Sequence, residues 1–294
     1  MTELRKQINN IVEDHQACLV LANSIKTSEV YKGTTATAED IREGKTAYSN
    51  GELITGILES EESPYNTQIS ISVEAGSYQT SYRGIFNNLH KYITKIDTPI
   101  TTSSTSVMYL FGGCESLQEV SEVETTNKTN FQGMFSGCKN LLKSPEIYTN
   151  YATTVGEMFQ NCSSLEIAPT ISTNDYASAS YVFANCTSLV DASGVAGLKA
   201  NNIYGIFMNC TNLENVPQFS VTSSIHLQNS FSGCPALTDE SLNNIMAMFT
   251  SVTPNATNAE KTLKYIGLSE EQATKCQSLS NYEAFAAAGW SMGY

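Results

Sequence analysis

Charged residues are scarce in this sequence, and basic ones are the scarcest. Charged side chains make up 15% of the 294 residues, and 16 lysines and arginines stand against 29 aspartates and glutamates, for a net charge of −13. Because no basic stripe is available to neutralise phosphate groups, this balance argues against nucleic acid or an anionic membrane as a partner. A hydrophobic content of 41% is ordinary for a folded protein, so global disorder is not predicted.

Long apolar runs are missing as well. No apolar run approaches the length that a membrane-spanning helix needs, so we expect no transmembrane helix and no insertion into a membrane. Residues 1–18 include Glu3, Arg5, Lys6, Glu13 and Asp14 but no apolar segment, so we expect no signal peptide.

The familiar catalytic and metal-binding patterns are also absent from the sequence. It contains no G-x-S-x-G, H-E-x-x-H or phosphate-binding loop, and its three histidines, His15, His90 and His226, are scattered. The eight cysteines form no C-x-x-C pair of the kind that a zinc site uses. We therefore expect no enzymatic activity, no cofactor and no metal.

What the sequence does have is one phrase, F-x-x-C-x-x-L, that recurs six times at a constant spacing. A fixed period of this length predicts a stacked array, in which each unit buries its apolar edge against its neighbours. When the six copies are aligned, the Phe, Cys and Leu residues form three columns, which we interpret as the repeated core. We interpret the thiols as buried groups that donate weak hydrogen bonds to backbone carbonyls. The columns are Phe111, Cys114, Leu117, Phe135, Cys138, Leu141, Phe159, Cys162, Leu165, Phe183, Cys186, Leu189, Phe207, Cys210, Leu213, Phe231, Cys234 and Leu237.

A turn is predicted immediately before each cysteine, where only glycine and asparagine occur. Both residue types tolerate a left-handed backbone. Three of the asparagines also begin Asn-x-Ser/Thr sequences, and we interpret them as turn residues and not as glycosylation sites. The six positions are Gly113, Gly137, Asn161, Asn185, Asn209 and Gly233.

The repeat resembles the BspA-like (Treponema-type) leucine-rich repeats, whose core reads A-F-x-x-C-x-x-L-x-x-I-x-I-P. The resemblance implies an α/β repeat solenoid with six regular repeats over residues 107–240. It also implies a cap and one degenerate repeat over residues 66–106, where Phe86, Leu89 and Tyr92 occupy the three columns. Each repeat should place a helical turn on the convex face and a short strand on the concave face, near residues 117–123, 141–147, 165–171, 189–195 and 213–219. Because residues 194–200 lack the proline of the other repeats, an altered turn is expected there.

Residues 241–294 resemble the helical cap that follows such repeats. Leu242, Ile245 and Phe249 are spaced as in a helix. Ser269 is a candidate N-cap for a second helix that ends near Cys276, and Gly289 is a stop signal for a third.

Residues 1–30 are predicted to form a helix with a heptad-like apolar seam. One interpretation is an amphipathic helix that packs on its own chain, and the other is a self-associating or docking helix. The position before a turn-rich linker favours the second, so we assign this segment to oligomerisation and anchoring. The seam residues carrying that role are Leu4, Ile8, Ile11, Cys18 and Ile25.

Residues 31–65 are interpreted as a second small module, with a hairpin predicted around Asn50-Gly51. The stretch is similar to a module of tailed-bacteriophage fibre and appendage proteins, A-x-x-I-x-x-G-K-x-A-Y-x-x-G-x-x-I-T-G. The matching residues are Ala38, Ile41, Gly44, Lys45, Ala47, Tyr48, Gly51, Ile54, Thr55 and Gly56.

The segments that vary between the repeat columns are the best candidates for ligand binding. Aromatic and amide side chains, which suit sugar or protein surfaces, are concentrated in two adjacent repeats. Tyrosine is also an ordinary strand residue, so this pattern alone leaves both interpretations open. The candidates are Tyr148, Asn150, Tyr151, Asn174 and Tyr176.

Together the two resemblances imply a structural protein of a phage virion, either a head or tail fibre or a decorating appendage. It would be made in the bacterial cytoplasm and located in the virion. Its expected partners are further copies of itself, for example in a trimer, other virion proteins through the N-terminal region, and a host-surface glycan or protein. The alternative is a bacterial leucine-rich repeat adhesin or protein-binding scaffold unrelated to a virion.

Overall fold

The computed structural model describes residues 46–49, 52–55, 74–75, 94–96, 100–102, 104–250, 252 and 261–293. The N-terminal seam residues Leu4, Ile8, Ile11, Cys18 and Ile25 lie outside the described residues. So do the columns Phe86, Leu89 and Tyr92 of the predicted degenerate repeat.

Small strands and a few short helices make up the regular structure of the described residues. The strands are β1 Thr46–Ser49, β2 Glu52–Thr55, β3 Glu74–Ala75, β4 Lys95–Ile96, β5 Thr101–Thr102, β6 Glu119–Val120, β7 Ala177–Ser178, β8 Lys199–Asn202 and β9 Ser220–His226. The helices are α1 Asp239–Thr250, α2 Glu270–Cys276 and α3 Tyr282–Ala287, with a 3-10 helix at Ser193–Gly197. Among the residues that the structure describes, no helix is both long and apolar enough to cross a membrane.

The predicted hairpin near the N-terminus is confirmed. Strands β1 and β2 pair antiparallel, with Ser49 opposite Glu52. This register leaves a two-residue connection, the length for which Asn-Gly is the strongest sequence signal.

Successive repeats are joined by parallel backbone pairing at a constant offset. Ser106 bridges Asn130, which bridges Thr154, which in turn bridges Ser178. The same offset joins β4 to β6, where Lys95 pairs with Glu119. The register of the array therefore extends one unit before residue 107, into the region where a degenerate repeat is predicted.

Each repeat also donates a regular set of backbone hydrogen bonds to the next one. In the first repeat, every second residue from 107 to 113 donates its N–H to a carbonyl of the following repeat, and the acceptors are Asn130, Gln132, Met134 and Ser136. Leu110 and Gly112, which lie between these donors, and Cys114, which follows them, donate to carbonyls three residues back in their own repeat. This alternation satisfies the N–H groups of a segment that is neither an α-helix nor a continuous strand.

Left-handed residues recur twice in each repeat, and one of the two columns was predicted. The six glycines and asparagines that precede the cysteines have φ values between 62° and 82°, which confirms the turn. The second column, four residues earlier, has φ values between 51° and 59° and was not predicted, because its residue types are mixed. Its members are Tyr109, Gly133, Glu157, Tyr181, Gly205 and Asn229.

The prediction of a short strand after each leucine is wrong in extent. Of the five expected segments, only residues 117–123 contain a strand, β6. Three others contribute single parallel bridges at Ile167, Asp191 and Asn215, and residues 141–147 contain neither. Prolines in these segments, such as Pro145 and Pro169, lack the N–H that a continuous ladder requires.

A three-stranded parallel sheet is formed by segments other than those expected, one from each of three successive repeats. It has the order β7-β8-β9 and precedes the Phe column of each following repeat. The altered turn expected at residues 194–200 coincides with the 3-10 helix. This helix needs a glycine at Gly194, because a Cβ there would lie 2.3 Å from the carbonyl oxygen of Pro169 in the preceding repeat.

The same contacts recur in the interior from one repeat to the next. All eighteen members of the Phe, Cys and Leu columns are buried. Adjacent phenylalanine rings stack with centroid separations from 4.9 Å, between Phe111 and Phe135, to 5.8 Å, between Phe207 and Phe231. Each thiol from Cys138 to Cys234 donates to the carbonyl of the phenylalanine one repeat earlier, at 3.0–3.2 Å.

The predicted C-terminal helices are confirmed, and they close the end of the array. Helix α1 buries Leu242, Ile245 and Phe249. Ser269 caps α2 in a capping box whose partner is Gln272, and the Gln272 side chain donates to the carbonyl of Cys234 at 2.7 Å. Residues 262–268 take the place of a following repeat, since their carbonyls accept the N–H groups of residues 229 and 231.

Phe159→Ala tests the contribution of the phenylalanine ladder. The ring stacks on Phe135 and Phe183 at 5.3 and 5.6 Å, so its removal leaves a cavity that neighbours on both sides line. We expect the free energy of unfolding to fall by about 3–5 kcal/mol in urea denaturation followed by circular dichroism. The matched control is Tyr151→Ala, at an exposed position, with an expected change within about 0.5 kcal/mol. Equal losses in the two variants would contradict the ladder's role.

Candidate binding surface

The five predicted ligand-binding residues are all exposed and lie on the same edge of neighbouring repeats. Tyr148, Tyr151 and Tyr176 are 51%, 59% and 69% exposed, and Asn150 and Asn174 are exposed as well. Three two-residue turns form this edge, Thr126-Asn127, Asn150-Tyr151 and Asp175-Tyr176, and we call them the tip turns. The structure therefore brings the predicted residues together on and beside consecutive tip turns.

Buried threonine hydroxyls hold the tip turns in place. The Thr149 hydroxyl donates to the carbonyl of Ser172 at 2.8 Å and accepts from its N–H at 3.0 Å. Thr173 makes the same pair of bonds with Lys199, at 2.9 and 3.0 Å. Thr125 accepts from the N–H of Tyr148 at 2.8 Å. Each hydroxyl thus anchors the start of a tip turn to the next repeat, which fixes the neighbouring exposed residues before any ligand arrives.

A further set of residues at this edge, three buried threonines, was not predicted from the sequence. Thr125, Thr149 and Thr173 recur at the same spacing as the cysteines, and this column was the signal that could have identified them. All three are buried. A polar residue repeated in register with a core is expected to satisfy backbone groups of neighbouring repeats, because a buried hydroxyl without a partner is costly.

The edge that carries the tip turns is acidic. The Tyr148 side chain is hydrogen-bonded to the Glu146 carboxylate, which raises the pKa of Tyr148, and the carboxylates of Glu122 and Glu124 raise it further. Hydrogen bonds from Thr126 lower the pKa of Glu124, so this carboxylate stays charged at neutral pH. Local negative charge makes the surface unfavourable for an anionic ligand.

An ion pair joins two neighbouring repeats beside the last tip turn. The Lys199 ammonium lies 3.1 Å from the Asp175 carboxylate, and both side chains are about half exposed. A pair this open to water contributes about 0–1 kcal/mol. Because the two charges offset each other, the pair adds no net charge next to Tyr176.

A second group of aromatic and polar side chains lies on the turn that precedes the cysteines. The Tyr109 hydroxyl donates to Glu157 at 2.6 Å, and Tyr181 meets Tyr204 edge to face at 5.1 Å. The Tyr109 ring covers Gly133, where an added Cβ would lie 2.1 Å from a ring carbon. Because these polar groups satisfy one another across repeats, we assign this group to stacking of the repeats and not to ligand binding.

The asparagines that begin Asn-x-Ser/Thr sequences form an amide ladder. The Asn185 amide donates to Asn161 at 2.8 Å, and Asn209 donates to Asn185 at 2.9 Å. All three residues are left-handed. Two of the amide nitrogens that glycosylation would modify are therefore engaged between repeats, as turn residues in a stacked array would be.

The cysteines are unsuited to nucleophilic chemistry. The seven in the described residues are all buried free thiols. Burial raises the pKa of Cys114, Cys186 and Cys234 to about 12 and that of Cys276 to about 11. Thiolate, the reactive form, is therefore negligible at neutral pH. Across the same ranges, no group of three or more acidic, histidine or cysteine side chains is placed to hold a metal ion.

Because the folded thiols have raised pKa values, they should make the protein sensitive to alkali. The Cys186 thiol has an ordinary pKa of 9.0 when unfolded and about 12 when folded. The stabilisation from keeping its proton is complete below pH 9 and is lost as the pH rises toward 12. One such thiol contributes a slope of up to about 1.4 kcal/mol per pH unit in that window.

Cys186→Ala should therefore flatten the dependence of the unfolding free energy on pH between about pH 9 and 11. Urea denaturation in the presence of a reductant, at several pH values, measures this slope. Leu189→Ala is the matched control, because it removes a buried side chain of the same repeat without removing a titratable group. A slope for Cys186→Ala equal to that of the unmodified chain would rule out the buried thiol as a source of alkaline instability.

Comparison with known families finds a match over part of the chain. Residues 80–195 match the family described as "Mycoplasma protein of unknown function, DUF285". The matched range contains the first four Phe-x-x-Cys-x-x-Leu units and all three tip turns, and the match is consistent with a BspA-like repeat protein. It does not include residues 31–65. No curated protein matches the chain.

Proposed function

We propose that the chain is a structural protein of a tailed-phage virion, a head or tail fibre or a decorating appendage, that attaches to the host surface through its repeats. The observation that carries the proposal is the row of exposed tyrosines and asparagines on consecutive tip turns, each anchored by a buried hydroxyl. A rigid support with varied exposed side chains is what a binding surface requires. The phage-like segment at residues 35–58, which contains the β1-β2 hairpin, supports a location in the virion.

The proposed architecture of the array is an α/β solenoid of the BspA-like leucine-rich repeat type. Parallel pairing at a constant offset supports it, as does the continuous stack of phenylalanine rings. The docked C-terminal helices support it too, because an array of this kind needs a cap on its last repeat. In this arrangement the N-terminal region holds the protein in the virion and the repeats project from it.

The location is tested by asking whether the protein is part of purified particles. We expect mass spectrometry of density-purified virions to find the chain at a fixed ratio to the major capsid protein. We also expect the purified chain, added in excess, to slow phage adsorption by occupying host sites, whereas an unrelated acidic protein of similar size should not. Absence of the chain from particles would refute the virion assignment.

Self-association through residues 1–30 is a separate expectation. The apolar seam at Leu4, Ile8, Ile11, Cys18 and Ile25 favours a coiled coil of several copies, such as a trimer. Ile11→Asp places a charge in the seam and should lower the mass per particle in sedimentation equilibrium toward that of one 32.0 kDa chain. Asn10→Asp adds the same charge outside the seam and should leave the mass unchanged. A monomeric unmodified chain would disprove the coiled coil.

The second candidate is a bacterial leucine-rich repeat adhesin or protein-binding scaffold that belongs to no virion. The description of the matching family as a Mycoplasma protein favours it. Fractionation distinguishes the two candidates, since a cellular protein would remain with bacteria that produce no particles. The tip turns serve as the binding surface in either case.

A further inference from the structure

Tyr176 combines two properties that rarely occur together. Its backbone is left-handed, with φ of 72°, and its side chain is 69% exposed. A bulky residue is disfavoured in this conformation, since its Cβ crowds the backbone. A largely exposed ring also recovers little stability by burial, so folding alone gives no reason for a tyrosine here.

The other two tip turns provide internal comparisons, although each begins one residue after its threonine and Asp175-Tyr176 begins two residues after Thr173. The second residue of the turn Thr126-Asn127 is also left-handed, with φ of 61°, and it is an asparagine, which tolerates this conformation. In the turn Asn150-Tyr151, the second residue is an exposed tyrosine whose backbone is not left-handed. Tyr176 is thus the tip residue at which an exposed aromatic ring is kept against the local backbone preference. Strained residues that persist in this way cluster at binding sites.

The chemistry around Tyr176 indicates which ligand the surface would take. The rings of Tyr151 and Tyr176, on adjacent tip turns, offer apolar faces, and the amides of Asn150 and Asn174 offer both donors and acceptors. Neighbouring repeats of this kind are about 4.8 Å apart, close to the length of one sugar unit in a polysaccharide. Glu146, Glu122 and Glu124, which act on Tyr148 at the same edge, disfavour a sulfated, phosphorylated or uronic acid polymer.

We propose that the tip turns bind an uncharged polysaccharide, with Tyr176 as the anchor whose ring stacks on a sugar face. The proposal deepens the attachment function and rests on it. The sugar chain runs across the repeats, so that successive units meet Tyr151 and then Tyr176. The amides of Asn150 and Asn174 bond to its hydroxyl groups, and the buried threonines keep the turns in their bound geometry.

The test pairs binding with stability in Tyr176→Asn, which introduces the residue type found in the turn Thr126-Asn127. The probe is an array of neutral hexose and N-acetylhexosamine oligosaccharides, together with sulfated forms of the same chains. We expect the full-length chain to bind one or more neutral oligosaccharides in preference to the sulfated forms. Tyr176→Asn should weaken that binding about tenfold or more while raising Tm by on the order of 2 °C, because the strain is relieved.

Two control variants separate stacking from strain and from surface exposure. Tyr151→Asn should also weaken binding but should not raise Tm, since that turn is not left-handed. Leu142→Ser removes an apolar side chain that is 61% exposed and lies in the same repeat as Tyr151, and it should change neither binding nor Tm. Tyr176→Gly, which accepts the left-handed backbone freely, should repeat the result of Tyr176→Asn.

Several results would overturn the proposal. These are the absence of binding to every neutral oligosaccharide, equal binding to the sulfated forms, full binding by Tyr176→Asn, or a fall in its Tm. The virion assignment is judged independently by the composition of purified particles. Particles that contain the chain, combined with an array that shows no neutral binding, would refute the sugar proposal and leave the virion role standing. Particles that lack the chain, combined with an array that shows preferential neutral binding lost in Tyr176→Asn, would refute the virion role and leave the sugar proposal standing.

Discussion

The fixed register between neighbouring repeats governs every other feature of the array. A repeat gives its backbone N–H groups to the next one, while the thiols from Cys138 onward each donate to the phenylalanine carbonyl of the one before. A repeat is therefore held from both sides by groups that meet only when the offset is maintained. This explains why the spacing of the Phe, Cys and Leu columns is constant, whereas the residues between them vary.

The constancy of the interior leaves the edge free to vary. The core uses the same three residue types in each of the six units, and its thiols are too deeply buried to ionise at neutral pH. The tip turns, held by the threonine hydroxyls, carry Asn127, Tyr151 and Tyr176 as their second residues in three successive repeats. A rigid support of this kind allows the exposed residues to change without disturbing the fold.

Some residue types are determined by a neighbour in the adjacent repeat. Gly133 is required beneath the ring of Tyr109, and Gly194 is required above the carbonyl of Pro169. Each of these glycines is unremarkable in its own stretch of sequence. The two members of each pair lie in successive repeats, so only the stacked arrangement relates them.

The amino-acid order alone was sufficient to predict the period, the buried columns, the turn before each cysteine, the C-terminal helices and the hairpin at Asn50-Gly51. Each of these follows from residues that are contiguous or evenly spaced, because local backbone preference and periodic burial are encoded in short patterns. The packing of the repeats was needed to establish that the strands shrink to single bridges, that Thr149 fastens a tip turn and that Tyr176 is exposed on a left-handed backbone. Those features depend on which atoms of the adjacent repeat come opposite, and the spacing of residues along one chain does not specify that.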